Sequence, residues 1–240
     1  MNPQPIWSTL RFSGLVSGYQ GTRVLRGISG GVTPGEVLGV VGRNGVGKST
    51  LLRTLAGIVE PDEGTIEISN TSGAVVPLGG VPVSRRRHLG ISYAPQEQIV
   101  FDDLTVADNL TLGRKSRDLK TFDAAFTRFP RLRERIAQPA GKMSGGEKKI
   151  LSFVRVLAEA SPITLIDEPT EGVAQENLDL MAASIDERKR TGAAFVIVEQ
   201  NLQFLLSIAD SILVLDHGEA VDSGCAHKFT RARLERYLVV

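Results

Sequence analysis

Gly42-Arg43-Asn44-Gly45-Val46-Gly47-Lys48-Ser49 is the stretch from which the rest of this chain can be read. It fits G-x-x-x-x-G-K-[ST], the phosphate-binding loop. Glu36 to Val41, just before it, is short, mostly apolar and rich in valine, which predicts a buried strand. From Ser49 onward, Leu51, Leu52, Leu55, Ala56 and Val59 recur at a helical period. The loop therefore joins a strand to a helix N-terminus, the context the motif requires. Its glycines let backbone N–H groups converge on phosphate oxygens, and the helix end adds positive potential. Lys48 is expected to reach the β- and γ-phosphates, and the Ser49 hydroxyl to ligate Mg²⁺. The bland alternative is a glycine-rich turn before an ordinary helix. At average residue frequencies a chain of this length matches the pattern by accident roughly once in a hundred.

The composition sets the frame around that loop. The 240 residues suit one large domain, or one with a small inserted lobe. A hydrophobic content of 42% supports a real core. The net charge of +1 gives no bulk drive toward nucleic acid or anionic lipid. Arg85-Arg86-Arg87-His88 is the strong basic run, expected as a solvated surface turn. The single cysteine, Cys225, excludes an internal disulfide and fits a reducing compartment. The histidines His88, His217 and His227 have no metal-ligand spacing. The N-terminus, with Pro3 and Pro5, lacks an apolar stretch of signal-peptide length. No run of about 18 apolar residues is present, so any membrane role is expected to come through a partner.

Working outward, Leu10, Phe12 and, less regularly, Leu15 and Val16 predict one strand, and Val24 to Val32 a second. Tyr19 sits in the turn between them, as a packing residue or as a stacking platform for a base. Thr65 to Ser69 alternates as a strand should, Asn70 to Val83 reads as a loop with a short strand, and Leu89 to Ala94 is a further strand. From Gln96 to Gln138 the chain turns helical. Thr105 and Asp108 have capping spacing, Phe122, Ala125, Phe126 and Phe129 share a face, and Pro130 interrupts or restarts the helix. This insert is expected to stand apart from the nucleotide-binding sheet.

Met143-Ser144-Gly145-Gly146-Glu147 opens another helix, with Ser144 and Glu147 at capping-box spacing. Two glycines in a first helical turn cost propensity, yet let backbone N–H groups approach an anion closely. Ile163 to Asp167 is a buried strand, and Asp167 and Glu168 end it with adjacent carboxylates. Strand alternation sends them to different faces, one toward Mg²⁺ through water and the other toward a second position. With a phosphate loop upstream, a metal-holding Asp followed by a general base is the expected reading. Asn177 to Arg190 predicts an amphipathic helix, Ala194 to Val198 a buried strand, and Leu202 to Ala209 a helix. Ser211 to Leu215 is a strand leading to a hairpin at Asp216 to Glu219, and Ala226 to Tyr237 a terminal helix.

These motifs occur in one order, and the whole chain resembles the ATP-binding subunit of an ABC transporter. The phosphate loop, Gln96 after a strand, Ser144-Gly145-Gly146-Glu147 and Asp167-Glu168 carry that resemblance. Finer matches are similar to one subgroup: Tyr93-Ala94-Pro95-Gln96 with Leu104-Thr105-Val106, Phe129-Pro130-Arg131-Leu132, Asp167 to Gly172, and Val198-Glu199-Gln200-Asn201. That subgroup is the smaller ATPase of uptake systems for branched-chain amino acids or, in a sister branch, urea or short amides. The resemblance implies an α/β fold, an ABC ATPase cassette. It would have a nucleotide-binding core lobe (about 1–95 and 154–240), an antiparallel β subdomain and a helical lobe (about 96–153).

The resemblance also assigns roles. Tyr19 would stack on adenine. Gly42, Arg43, Asn44, Gly45, Val46, Gly47, Lys48, Ser49 and Thr50 would bind the phosphates of ATP. Ser49, Asp167 and Gln96 would serve Mg²⁺. Glu168 would polarise the attacking water, with Gln96 and Gln200 completing the catalytic set. Ser144, Gly145 and Gly146 would contact ATP bound to a second, head-to-tail ATPase subunit. Transmembrane permease subunits would hold the pair peripherally on the cytoplasmic side of the membrane. A periplasmic or extracellular solute-binding protein would be an indirect partner. Ile99, Val100 and Phe101 would either line the groove that receives a permease helix or pack inside the helical lobe.

Relatives that act on ribosomes carry two cassettes, and those that act on DNA carry coiled-coil or zinc inserts. Neither occurs here, so no nucleic acid is expected. Three departures from the broad family stand out. Gln200 replaces the usual switch histidine, Ala174 stands near a usual aspartate, and Met143 and Glu147 flank the signature glycines. The first two bear on the hydrolytic competence of this chain's own site, and imply a nearly inactive regulatory subunit or a heterodimer with unequal sites.

Overall fold

The computed structural model describes residues 7–97 and 99–238. Pro3 and Pro5 lie outside them. The chain opens with a long hairpin, β1 (Trp7–Tyr19) and β2 (Thr22–Val32), followed by β3 (Val37–Val41) and α1 (Lys48–Ala56). Then come β4 (Glu63–Asn70), β5 (Val75–Pro77), α2 (Val83–His88) and β6 (Ile91–Ala94). The insert holds α3 (Val106–Thr111), α4 (Asp123–Arg128) and α5 (Pro130–Glu134). It leads to α6 (Gly145–Ala158), β7 (Ile163–Asp167), α7 (Gln175–Arg190) and β8 (Ala194–Val198). The chain closes with α8 (Leu202–Ile208), β9 (Ser211–Asp216), β10 (Glu219–Cys225) and α9 (Arg231–Glu235).

Two sheets result. The antiparallel one has the order β2-β1-β4-β5, and the six-stranded one β10-β9-β3-β8-β7-β6. In the second, β9, β3, β8, β7 and β6 run parallel, and β10 pairs antiparallel at one edge. Strand alternation sends successive side chains to opposite faces. Leu38 and Val40 therefore join an apolar cluster with α1 (Leu51, Leu52, Leu55) and the antiparallel sheet (Leu10, Phe12, Ile66). Val37 and Val41 join the opposite cluster, with α6, α7 and α8. Each fully buried leucine there is worth about 1.5–3 kcal/mol relative to an exposed one.

The insert is helical, but it does not have a core of its own. Val106, Leu110, Phe122, Phe126, Phe129 and Leu132 belong to the same cluster as Phe195 and Ile197 of the sheet. Helix α6 makes the connection, since its Leu151, Phe153 and Val154 face into that shared core. The lobes are therefore distinct along the chain and continuous in packing. Pro130 takes the first turn of α5, where its missing N–H costs nothing.

The basic run corrects the expectation made for it. Arg85 to His88 is helical, and Arg86 is 1% exposed. Its guanidinium donates to the carbonyls of Thr54 and Leu55 at 2.9 Å each, of Leu78 at 2.6 Å and of Val81 at 2.9 Å. Thr54 and Leu55 end α1, where the helix dipole favours a cation and the last carbonyls lack helical partners. Burial still holds the Arg86 pKa below its ordinary value, with Glu60 pulling the other way. Arg86 thus fastens the segment after β5 to the far end of the phosphate-loop helix. The tail also differs from one helix. Phe229 is extended, which buries its ring in the core, and Thr230 caps the new start at α9.

Candidate active site

Four neighbouring parallel strands, β3, β8, β7 and β6, end on the same side of the sheet. The phosphate loop follows β3, Glu199 and Gln200 follow β8, Glu168 follows β7, and Gln96 follows β6. Open α/β sheets bind ligands at the carboxyl ends of their strands. Here the fold gathers four distant pieces of sequence at that end. The cleft between them is about 400 Å³ and is lined by Asn44, Lys48, Ser49, Thr50, Gln96 and Glu168, among others.

The loop geometry needs its glycines. Gly45 and Gly47 have φ of +82° and +111°, and a Cβ on Gly47 would press on the Leu25 side chain at 2.9 Å. Lys48 is 5% exposed. Its ammonium donates to the carbonyls of Gly42 at 2.7 Å and Arg43 at 2.8 Å, and lies 3.9 Å from Glu168 Oε1. Burial lowers its pKa, while Glu168, Asp167 and Glu199 act to keep it charged.

Glu168 is held on every side. Gln96 Nε2 donates to Oε2 at 2.8 Å, and Gln200 Nε2 donates to Oε1 at 2.8 Å. Gln200 Nε2 also donates to Asn44 Oδ1 at 2.7 Å, tying the β8 end to the phosphate loop. The backbone of Glu168 is left-handed, φ +46°. That conformation costs a non-glycine residue about 1–2 kcal/mol. Its N–H donates to the Val198 carbonyl at 2.9 Å, and its own carbonyl accepts from Lys149 at 3.0 Å. The separation of Asp167 from Glu168 therefore comes from this turn rather than from strand pleating alone.

Asp167 is 1% exposed, and neither carboxylate oxygen has a hydrogen-bond partner among the described residues. Burial raises its pKa, and the Ser49 hydroxyl beside it acts to lower it. An orphaned buried carboxylate next to a phosphate-loop serine is a donor set that fits Mg²⁺. That ion takes one or two carboxylates and fills its shell with water and phosphate oxygens. No cage of three or more acidic, His or Cys side chains occurs among the described residues.

Two residues were missed from sequence. Lys149, 8% exposed, donates to the carbonyls of both Gln96 and Glu168, so α6 reaches the cleft residues after β6 and β7 directly. Its signal was a lysine bordering the apolar face of α6. Glu199, 2% exposed, accepts from the N–H groups of Thr170 at 2.9 Å, Gln200 at 2.9 Å and Asn201 at 3.0 Å. Burial raises its pKa despite these donors. A carboxylate directly after a buried strand, before two polar residues, was the available cue.

Other expected site residues stand elsewhere. Tyr19 is 43% exposed at the end of β1, accepts from Arg53 at 3.3 Å, and does not line the cleft. Ser144, Gly145 and Gly146 stand at the start of α6, and Ser144 and Gly146 border a different cleft, with the Phe129–Leu132 stretch and Ala174. The capping box is formed: Glu147 N–H donates to Ser144 Oγ, and Ser144 N–H to Glu147 Oε2. One chain thus carries a phosphate loop and an exposed, glycine-rich helix start that do not meet.

A family model described as ABC transporter matches residues 25–171, more than half of the chain. The chain belongs to the ABC transporter family. It is an ATPase cassette: the family binds and hydrolyses ATP. The chain is 36% identical to a high-affinity branched-chain amino acid transport ATP-binding protein, BraG of Pseudomonas aeruginosa, over 88% of this chain and 91% of that one. It is 32% identical to a probable branched-chain amino acid transport ATP-binding protein, LivF of Archaeoglobus fulgidus, over 91% and 93%. A solved ATP-binding subunit of an ABC transporter superposes with a TM-score of 0.79 at 26% identity, over 90% of this chain and 89% of that one. No helix among the described residues is long and apolar enough to cross a membrane.

Proposed function

We propose that this chain is the ATP-hydrolysing subunit of an importer for branched-chain amino acids or a related small polar solute. It would work as one member of an ATPase pair docked on permease subunits, peripherally on the cytoplasmic side of the membrane. A solute-binding protein would select the cargo. The observation that carries the catalytic part is the convergence of Lys48, Ser49, Gln96, Glu168 and Gln200 on one cleft. The likeness to BraG and LivF carries the cargo class.

ATP phosphates would take the place of the Gly42 and Arg43 carbonyls as partners of Lys48. The loop N–H groups would hold the phosphate oxygens. Ser49, Asp167 and Gln96 would serve Mg²⁺, which neutralises charge developing on the phosphates when bound. Glu168 would accept the proton of the attacking water, and the Gln96 and Gln200 amides would fix its orientation. Tyr19 would stack on adenine. Ser144, Gly145 and Gly146 would meet the γ-phosphate held by the paired subunit, since none of them lines this chain's own cleft. Ile99, Val100 and Phe101 would border the permease groove, with Phe101 54% exposed.

Glu168→Gln tests the hydrolytic role. It should keep ATP binding and lower hydrolysis in the assembled transporter by about a hundredfold or more. Near wild-type turnover would refute the role. A second reading, a nearly inactive regulatory subunit, is favoured by the two glutamine amides that occupy both Glu168 oxygens. ATPase rates of the isolated chain and of the reconstituted complex separate the two. A site that stays silent when every other subunit is active supports the regulatory form.

A further inference from the structure

Lys149 lies in the second turn of α6, buried, and does not line the cleft. Its ammonium donates to the Glu168 carbonyl at 3.0 Å and to the Gln96 carbonyl at 3.1 Å. Among the described residues no other donor reaches either carbonyl. A carboxylate does stand near, Glu171 Oε2 at 3.6 Å, but that side chain is 66% exposed. Water screens such a pair, so it does little to offset a buried charge. An apolar side chain would pack at this place without burying a cation, and exchanges of that kind are often neutral or stabilising. Packing therefore does not explain the lysine, and its two acceptors do.

Those acceptors belong to two residues whose side chains already touch. Gln96 Nε2 donates to Glu168 Oε2 at 2.8 Å, and Lys149 joins the same pair through their backbones. The three side chains close a ring around the turn after β7. Glu168 sits in that turn at φ +46°, a conformation that persists only where the surroundings fix it. Val198 accepts from its N–H, and Lys149 donates to its carbonyl. Without the ammonium, that buried carbonyl is left unpaired, which costs more than the bond itself was worth. The turn then relaxes and carries the carboxylate with it.

We propose that Lys149 is a positioning residue for ATP hydrolysis. It fixes the backbones of Glu168 and Gln96 so that the carboxylate and the amide meet the attacking water in one geometry. It acts through Glu168 and touches neither nucleotide nor water. The inference rests on the hydrolytic reading above and adds to it a residue of α6, the helix whose first turn holds Gly145 and Gly146. A catalytic group displaced by about 1 Å can lose a hundredfold in rate while substrate binding is unchanged.

Lys149→Met keeps the stem of the side chain and removes the ammonium. Hydrolysis is measured in the assembled transporter after the paired subunit's own phosphate-loop lysine is replaced, so that turnover reports this chain's site. Lys149→Met should lower kcat about ten- to a hundredfold and leave the KM for ATP unchanged. Combined with Glu168→Gln, it should lower hydrolysis no further than Glu168→Gln does alone, because both act through one carboxylate. Lys149→Gln, whose amide ends one bond short of the ammonium, carries the same two expectations if Lys149→Met does not fold. An unchanged kcat in the variant that folds, a raised KM at unchanged kcat, or an additive loss beside Glu168→Gln would each overturn the proposal and leave the hydrolytic reading standing. If Glu168→Gln does not slow this site, or the wild-type site is itself silent, the hydrolytic reading fails and the role of Lys149 falls with it.

Discussion

Asp167 carries a carboxylate whose two oxygens find no donor among the described residues, inside a shell that excludes water. Such a group costs stability until a cation compensates it. Burial raises its pKa above the ordinary 3.8. Between that value and the raised one, the folded chain holds a proton that the unfolded chain has lost. The contribution of Asp167 to stability therefore falls as pH rises through that window. Asp167→Asn should raise the stability of the nucleotide-free chain near pH 7 by about 1–3 kcal/mol. The gain should vanish at pH values below the window, and the Mg²⁺-dependent part of ATP affinity should be lost. Urea denaturation across pH and calorimetry with and without Mg²⁺ test both, and a destabilised variant would contradict this account. Arg86 behaves oppositely. Its removal strands the carbonyls of Leu55 and Val81 and takes one of two donors from those of Thr54 and Leu78, so Arg86→Met should cost about 2–5 kcal/mol in urea denaturation. Loss below about 1 kcal/mol would show that the carbonyls find other partners. Nothing in Arg85-Arg86-Arg87-His88 says which arginine turns inward. Two of its acceptors lie 31 and 32 residues away, and only the folded chain brings them close.

The strands and helices were legible where their period is regular. The apolar runs of β3, β7 and β8 read as buried strands because both faces are covered, and the Thr105 cap of α3 and the capping box of α6 read from residue spacing. Irregular β1 was half legible. A register shift between Phe12 and Leu15, with Gly14 at φ +62°, changes the parity of its inward residues. The start of α6 shows a distinction that composition hides. A Cβ on Gly146 would clash with the Gly172 carbonyl, whereas one on Gly145 meets nothing within 4 Å. Gly146 is thus required by the chain's own packing, and Gly145 only by what approaches from outside. Gly146→Ala should destabilise the isolated chain by about 1–3 kcal/mol through overpacking. Gly145→Ala should leave its stability and its own ATP binding intact, yet lower hydrolysis in the assembled transporter. Thermal melts of both variants beside turnover in the complex decide it, and equal melting losses would erase the distinction.

At the scale of the whole molecule, Lys48, Ser49, Gln96 and Glu168 gather at one sheet end while the start of α6 opens on a separate cleft. Each motif was legible in sequence. Their engagement was not, because the Gln200 amide reaches Glu168 across 32 residues of chain and Asn44 across 156. That bridge bears on pairing. A histidine at this position would carry a group that titrates near neutral pH, whereas the Gln200 amide donates without changing protonation. Its amide is also already spent on Glu168 and Asn44. A homodimer would repeat this arrangement in both sites. A heterodimer with a related, histidine-bearing ATPase would keep one strong site, built from the partner's phosphate loop and this chain's Ser144 to Gly146. The expected assembly is therefore a heterodimer with unequal sites. Ser144→Arg should place a bulky cation where the partner's ATP must sit and stop transport, while leaving nucleotide binding to this chain's own loop unchanged. Gln200→Ala releases one oxygen of Glu168 in the weaker site, and should lower transport far less. Transport into vesicles and ATP affinity of each isolated variant measure the two. Equal loss of transport from both substitutions would mean that this chain's own site does an equal share of the work.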